Sequence, residues 1–348
     1  MRINNYFKIP ILMVIGFISI NSCSRHSIPQ RHFEDKIIFL SNREAPPRQF
    51  DIFLMNSDGT GQTNLTSEIN NVRSLSNPRV SPDGKTVLYV SVAGSKNQLK
   101  LLNISDRQTK VLCNLTHDNP DAGFSPDGSQ VVYVDRISGR QQIHLMNLAS
   151  GTIMNLSANN CDEFAPVFSP AGSNIIFISK CAGVYSIVSM STGGGSRKIL
   201  YNEPGKISEL HFSPSGDRIV FALTQKGNSD ICLIFNDGTD FEKITDSPMH
   251  ETEPKFSPDG MNIIFISNQR GMKYRDIFRY NLKDGSTVCL TDQLNYINQN
   301  ASFTADSKFV IFETTKFNDS EIYSVDINGT NLTNLTNNTG WETAARYY

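Results

Sequence analysis

One five-residue phrase recurs along this chain at a fixed interval, and that interval decides what the chain can fold into. It stands as Val80-Ser81-Pro82-Asp83-Gly84, Phe124-Ser125-Pro126-Asp127-Gly128, Phe168-Ser169-Pro170-Ala171-Gly172, Phe212-Ser213-Pro214-Ser215-Gly216 and Phe256-Ser257-Pro258-Asp259-Gly260. The step is 44 residues four times running, and a worn copy, Phe303-Thr304-Ala305-Asp306-Ser307, follows after 47. Each copy leads into an apolar run bounded by turn residues, such as Asn262-Ile263-Ile264-Phe265-Ile266-Ser267. Short strands and Gly-rich turns repeating every ~40–45 residues mark the blade of a β-propeller.

The unit at 252 shows the plan. Strand A is expected over 253–257, strand B over 262–267, strand C over 276–280 and strand D over 287–291. Asp259-Gly260 and Asp284-Gly285 form its turns, because glycine takes positive φ without a Cβ clash. The first unit has B (36–41), C (51–55) and D (62–66) but lacks A. The missing strand lies at the other end, where Trp341 to Tyr348 repeats the start of a unit with Tyr347 in the Phe256 position. Seven D-strand endings (Leu65, Leu112, Leu156, Leu200, Ile244, Leu290, Leu335) count seven blades. The expectation is an all-β, seven-bladed propeller of four-stranded blades, closed when the C-terminal strand joins the first blade. A six-bladed ring is the alternative. No stretch carries a 3.6-residue apolar period, so helix is not expected. The repeated Phe and the Ile, Val and Phe runs read as core between blades.

The 348 residues carry a net charge of −2, with no basic footprint for nucleic acid. Residues 1–22 combine a positive start (Arg2, Lys8) with a short apolar run (Ile9 to Ile20), as a secretory signal does. Ile20-Asn21-Ser22-Cys23 resembles the bacterial lipobox, which implies lipidation of Cys23. Residues 23–35 are then a tether and 36–348 the propeller. Ser24, where an Asp would favour inner-membrane retention, suggests the outer membrane, facing the periplasm or the surface. Cys113, Cys232 and Cys289 sit in apolar strand patterns and read as buried thiols. Cys161, before the fourth strand A, and Cys181, at the far end of the paired strand B, arrive at the same face and are a candidate disulfide.

The pattern Phe-Ser-Pro-Asp-Gly…Ile-Ile-Phe-Ile-Ser…Asp-Ile-Phe…Asp-Gly…Leu-Thr resembles the WD-like propeller repeats of the TolB family over 36–348. TolB itself carries an α/β domain before its propeller and is usually counted as six-bladed and soluble in the periplasm. The resemblance here is to the propeller half alone.

Catalytic signatures were sought among the six histidines and the glycine-rich stretches. No H-E-x-x-H or G-x-S-x-G is present, and Gly193-Gly194-Gly195-Ser196 reads as a C–D turn. Seven-bladed oligogalacturonate lyases resemble this repeat type, but no equivalent histidine-rich cluster is visible. The mouth of the central channel remains. Asn77, Asp118, Asp121, Asp162, Glu163, Glu209, His250, Glu251, Glu253, Asn300, Trp341 and Glu342 are expected around it. Arg79, His211, Lys255 and Arg346 are expected deeper, giving an acidic funnel over a partly basic neck. Such a rim suits a cationic peptide or a divalent cation; the bland alternative is that each acid caps the neighbouring blade. No other cofactor is expected. The function expected is a monomeric, envelope-anchored, non-catalytic propeller that binds a protein or peptide. A periplasmic saccharide lyase or hydrolase acting in the channel is the alternative, and a purely structural lipoprotein a third.

Overall fold

The computed structural model describes residues 36–348 apart from 45–48, 68–77, 94–95, 117–120, 272 and 317–318. Cys23, the leader, the tether, Asn77 and Asp118 therefore lie outside the described residues. Within them the chain forms seven antiparallel sheets of four strands, ordered A-B-C-D outward and arranged as a ring, with no helix. The all-β, seven-bladed expectation holds. In blade 6 the strands run Glu251–Phe256, Asn262–Ser267, Asp276–Asn281 and Thr287–Cys289.

The recurring phrase builds the A–B turn through its own side chains. In blade 6 the Ser257 hydroxyl donates to the Asp259 carboxylate at 2.5 Å and accepts from the amide of Asn262 at 2.9 Å. The amide of Gly260 donates to the Ser257 carbonyl at 2.9 Å, with φ of +72° at the glycine. Blade 5 lacks the Asp at Ser215, and Asp217 accepts from Ser213 instead, at 2.7 Å. Proline and glycine meet across blades: a Cβ on Gly216 would lie 3.2 Å from Pro170 of the preceding blade. The phrase is thus both a turn and a contact between neighbours.

Strand B is apolar over most of its length because both its faces are covered. In blade 1 (Lys36–Ser41), Ile37 and Phe39 pack with Ile311, Ile322 and Leu335 of blade 7. Their alternates Ile38 and Leu40 pack with Val87, Tyr89 and Leu102 of blade 2. The core is therefore a set of seams between blades, as expected.

The ring closes as the sequence implies. Glu342–Tyr347 is strand A of blade 1 and pairs antiparallel with Lys36–Ser41, with Tyr347 opposite Ile37 as Phe256 is opposite Ile263. Ala344 and Ala345 are buried in the seams on either side. Several strands differ in length from the reading above. Strand D of blade 7 shortens to Thr333–Asn334, and strand A of blade 6 begins two residues earlier, at Glu251.

Candidate functional site

Strand A is the innermost strand of each blade, and in most blades it carries a break in its ladder. Register slips between Phe164 and Val167, Ser208 and His211, Thr252 and Lys255, and Gln299 and Ser302. Within those breaks Ala165, Glu209, Glu253 and Asn300 have φ of 52°, 62°, 55° and 56°, and Ala344 of blade 1 has 57°. Non-glycine residues in this left-handed region cost about 1 kcal/mol or more, so something must hold them.

Three of them are held by the preceding blade. The Glu253 amide donates to the Glu209 carboxylate at 2.6 Å, the Asn300 amide to Glu253 at 3.0 Å, and the Ala165 amide to Asp121 at 3.3 Å. Each acid reaches the equivalent bulge one blade on, at separations of 44, 47 and 44 residues. Asp121, Glu209 and Glu253 thus form an inter-blade relay around the channel. Burial raises the Glu209 carboxyl above its ordinary range, against the lowering effect of the Glu253 amide.

Glu163, Glu251 and Glu342, two residues before the bulge, turn into their own blades. They are 0%, 3% and 0% exposed, so they present nothing at the mouth. Glu163 accepts from Asn159 at 3.0 Å and Ser179 at 3.1 Å, and pairs with Arg197. Glu251 accepts from Ser247 at 2.6 Å and Ser267 at 3.2 Å. Glu342 accepts from Ser41 at 2.9 Å and pairs with Arg43 at 3.1 Å. Burial raises the carboxyls of Glu251 and Glu342. These glutamates tie the incoming loop and strand A to strand B. Glu163→Ala is expected to cost about 3 kcal/mol by stranding Arg197 and Ser179. A shift in the urea midpoint reads it; a loss below roughly 1 kcal/mol would show that the cluster holds nothing.

The other rim candidates lie apart. Asp162 pairs with Arg140 at 3.1 Å, the His250 amide donates to Asn268 at 2.9 Å, and the amide of exposed Trp341 donates to Asn42 at 2.7 Å. Sequence reasoning missed Glu313 of blade 7, which accepts from Gln299, Asn300 and Ser320 of its own blade and from Thr343 of blade 1 at 2.6–3.2 Å. Its signal was one charge inside the apolar run Val310-Ile311-Phe312-Glu313. No group of three or more His, Cys, Asp or Glu that could hold a metal ion occurs among the described residues. Asp121, Glu209 and Glu253 stand on three different blades and are turned to backbone amides, which does not favour the divalent-cation reading.

Two residues beyond the bulge, strand A offers one more position to the channel. Blades 1, 2, 5 and 6 place Arg346, Arg79, His211 and Lys255 there; blades 3, 4 and 7 place Gly123, Val167 and Ser302. Lys255 Nζ donates to the Ala301 carbonyl at 2.5 Å, and Arg346 to the Ala345 carbonyl at 2.9 Å. His211 Nδ1 accepts the Phe256 amide at 3.4 Å, leaving Nε2 as its N–H donor. Burial and then the Arg346 charge push Lys255 down to about 7. Burial and then Arg79 lower Arg346 to about 9, and burial and then Lys255 lower His211 to about 4. A cavity of about 360 Å³ opens beside this layer, lined by His211, Lys255 and Ser302 with Phe and Pro residues of the A–B turns.

Cys161 and Cys181 are disulfide-bonded with Cα atoms 4.7 Å apart, stapling the loop that carries Glu163 to the end of strand B. Cys113, Cys232 and Cys289 are free; Cys232 is buried and the other two are half-buried.

Residues 28–202 and 186–345 match the TolB beta propeller domain family. The Tol-Pal system protein TolB of Wolbachia pipientis is 32% identical over 83 residues, which is 23% of this chain and 19% of that protein. The chain thus matches about a fifth of that relative's length. TolB of Acinetobacter baumannii superposes with a TM-score of 0.58 at 19% identity, covering 90% of this chain and 67% of that one. The oligogalacturonate lyase of Vibrio parahaemolyticus gives 0.64 at 13% identity over 86% and 85% of the two chains, a likeness of fold. With its repeats matched almost from end to end, this chain belongs to the TolB beta propeller family.

Proposed function

We propose that this propeller is a non-catalytic scaffold of the cell envelope that receives a segment of a protein partner in its channel. The observation that carries the reading is the division of labour among the channel acids. Asp121, Glu209 and Glu253 are engaged with the next blade's amides. Glu163, Glu251 and Glu342 are withdrawn into their blades. A lyase or hydrolase would want such carboxylates converging on one reacting bond. Membership of the TolB propeller family, whose matched relative is a Tol-Pal system protein, supports a protein partner and an envelope address. The Cys161–Cys181 bond agrees with an oxidising compartment. In this reading Cys23 carries the lipid, and the propeller faces the periplasm or the surface from the outer membrane.

The test places a photo-crosslinking residue at Ser302, in the channel, in the protein's own cells. One predominant protein adduct is expected in the membrane fraction. The same propeller bearing Cys23→Ser is expected to leave that fraction. No adduct from the channel position, or turnover of a saccharide by the purified protein, would overturn the scaffold reading.

A further inference from the structure

The basic layer of the channel is not required by the fold. The same strand position is Gly123, Val167 and Ser302 in three blades, so packing accepts a small or apolar side chain there. Yet Arg346, Arg79 and Lys255, with the neutral His211 beside them, gather on four strands of one channel, and the three cations repel one another. Three of them, Arg346, Arg79 and His211, make no ion pair, and neither does Lys255, among the described residues. The acids Asp121, Glu209 and Glu253 accept backbone amides in the layer above and act on the cations only across a distance, with no direct ion pair to them among the described residues. Partly buried, with His211 and Lys255 lining the 360 Å³ cavity, the layer is an arc of donors in which burial and mutual repulsion outweigh the attraction of the acids above.

We infer that the Arg79–Lys255–Arg346 arc, with His211 at its edge, is an anion-binding site that takes a carboxylate of the partner segment entering the channel. An anion within reach of three cationic heads would relieve their mutual repulsion and gain charge-assisted hydrogen bonds. Repulsion among like charges that packing does not require costs stability, as functional sites do and structural elements seldom do. The inference rests on the proposed reading that the channel receives a protein segment; it adds that the segment is acidic, where the sequence suggested a cationic one.

Sulfate serves as the first probe, titrated by calorimetry at constant ionic strength into the wild-type protein, Lys255→Met and Arg346→Met. Binding is expected in the wild type and at least about tenfold weaker in each variant, the size of one lost charge-assisted bond. Without anion, both variants are expected to melt at or above the wild-type temperature, which a structural role for these cations would reverse. Sulfate acting equally on all three proteins would mean an adventitious ion only and overturn the site. A second arm compares a short peptide ending in two glutamates with its glutamine counterpart. Tighter binding of the acidic peptide than of sulfate is expected; equal affinity would make a free anion the occupant and overturn the partner segment. Crosslinks from Ser302 that survive both substitutions would sink this inference alone. Sulfate binding without any crosslink would sink only the scaffold reading.

Discussion

A chain ending at Gly340 is expected to lose cooperative folding. Loss of the last eight residues removes strand A of blade 1, Glu342–Tyr347, from beside Lys36–Ser41. The ladder of Ile37 to Ser41 is then an unpaired edge, the form of sheet most prone to association. Ala344 and Ala345 leave two seams at once, one toward blade 2 and one toward blade 7. Arg43, whose side chain is 18% exposed, loses the Glu342 carboxylate. Loss of a buried partner alone costs about 3–5 kcal/mol, and the opened seams add to it. The sum reaches most of an ordinary domain's stability of about 5–15 kcal/mol. Circular dichroism during heating, with size-exclusion chromatography, reads the result. A sharp transition at the full-length midpoint would show that blade 1 stands without its last strand. A synthetic peptide of residues 341–348 added in trans is expected to restore part of the transition by strand addition.

The second large effect concerns Lys255. The folded protein holds this amine down to about 7, against an ordinary 10.5, because burial and the charges of Arg346 and Arg79 oppose Glu253 and Glu209. Between those two values the unfolded chain binds the extra proton, so stability rises with pH across the window. The penalty is fully present below pH 7 and has gone above about 10.5. Lys255→Met removes the titrating group. Its advantage over the wild type is therefore expected to be greatest at pH 6 and to shrink toward pH 10, with a limiting slope of about 1.4 kcal/mol per pH unit. The unpartnered Ala301 carbonyl subtracts a pH-independent ~1 kcal/mol. Urea midpoints at several pH values decide it. A stability difference flat in pH would show that Lys255 titrates normally in the fold.

The repeat made the architecture legible, because turn chemistry is local and its period is global. Five copies of a Ser-Pro turn and alternating seams in the B strands leave few ways to arrange the blades. The tail could be matched to the empty place in blade 1 by alignment alone. The site was legible only in part. Alignment found the residues that enter strand A but not the bulge inside it, which depends on hydrogen bonds to a residue in the preceding blade. Glu163 and Glu209 both occur near the start of strand A, yet one is buried in its blade and the other faces the channel. Glu209 is itself the positive-φ residue of its bulge, whereas Glu163 stands two residues before Ala165, the positive-φ residue of its own, a difference that composition does not encode. Glu313 was hidden for another reason: its partners come from strands A and C of its own blade and from Thr343 of blade 1.

The carboxylate-to-amide relay has a bearing on how a molecule of this kind can change its size. Because Glu209 serves Glu253 and Glu253 serves Asn300, the sixth and seventh units are not self-sufficient at their inner edges. A duplicated or deleted unit would leave one inner amide facing a stranger, unless the break fell after a unit such as the fourth. There Ala165 offers no carboxylate to its successor. Lineages that gained or lost a wedge are expected to have done so at such silent joints.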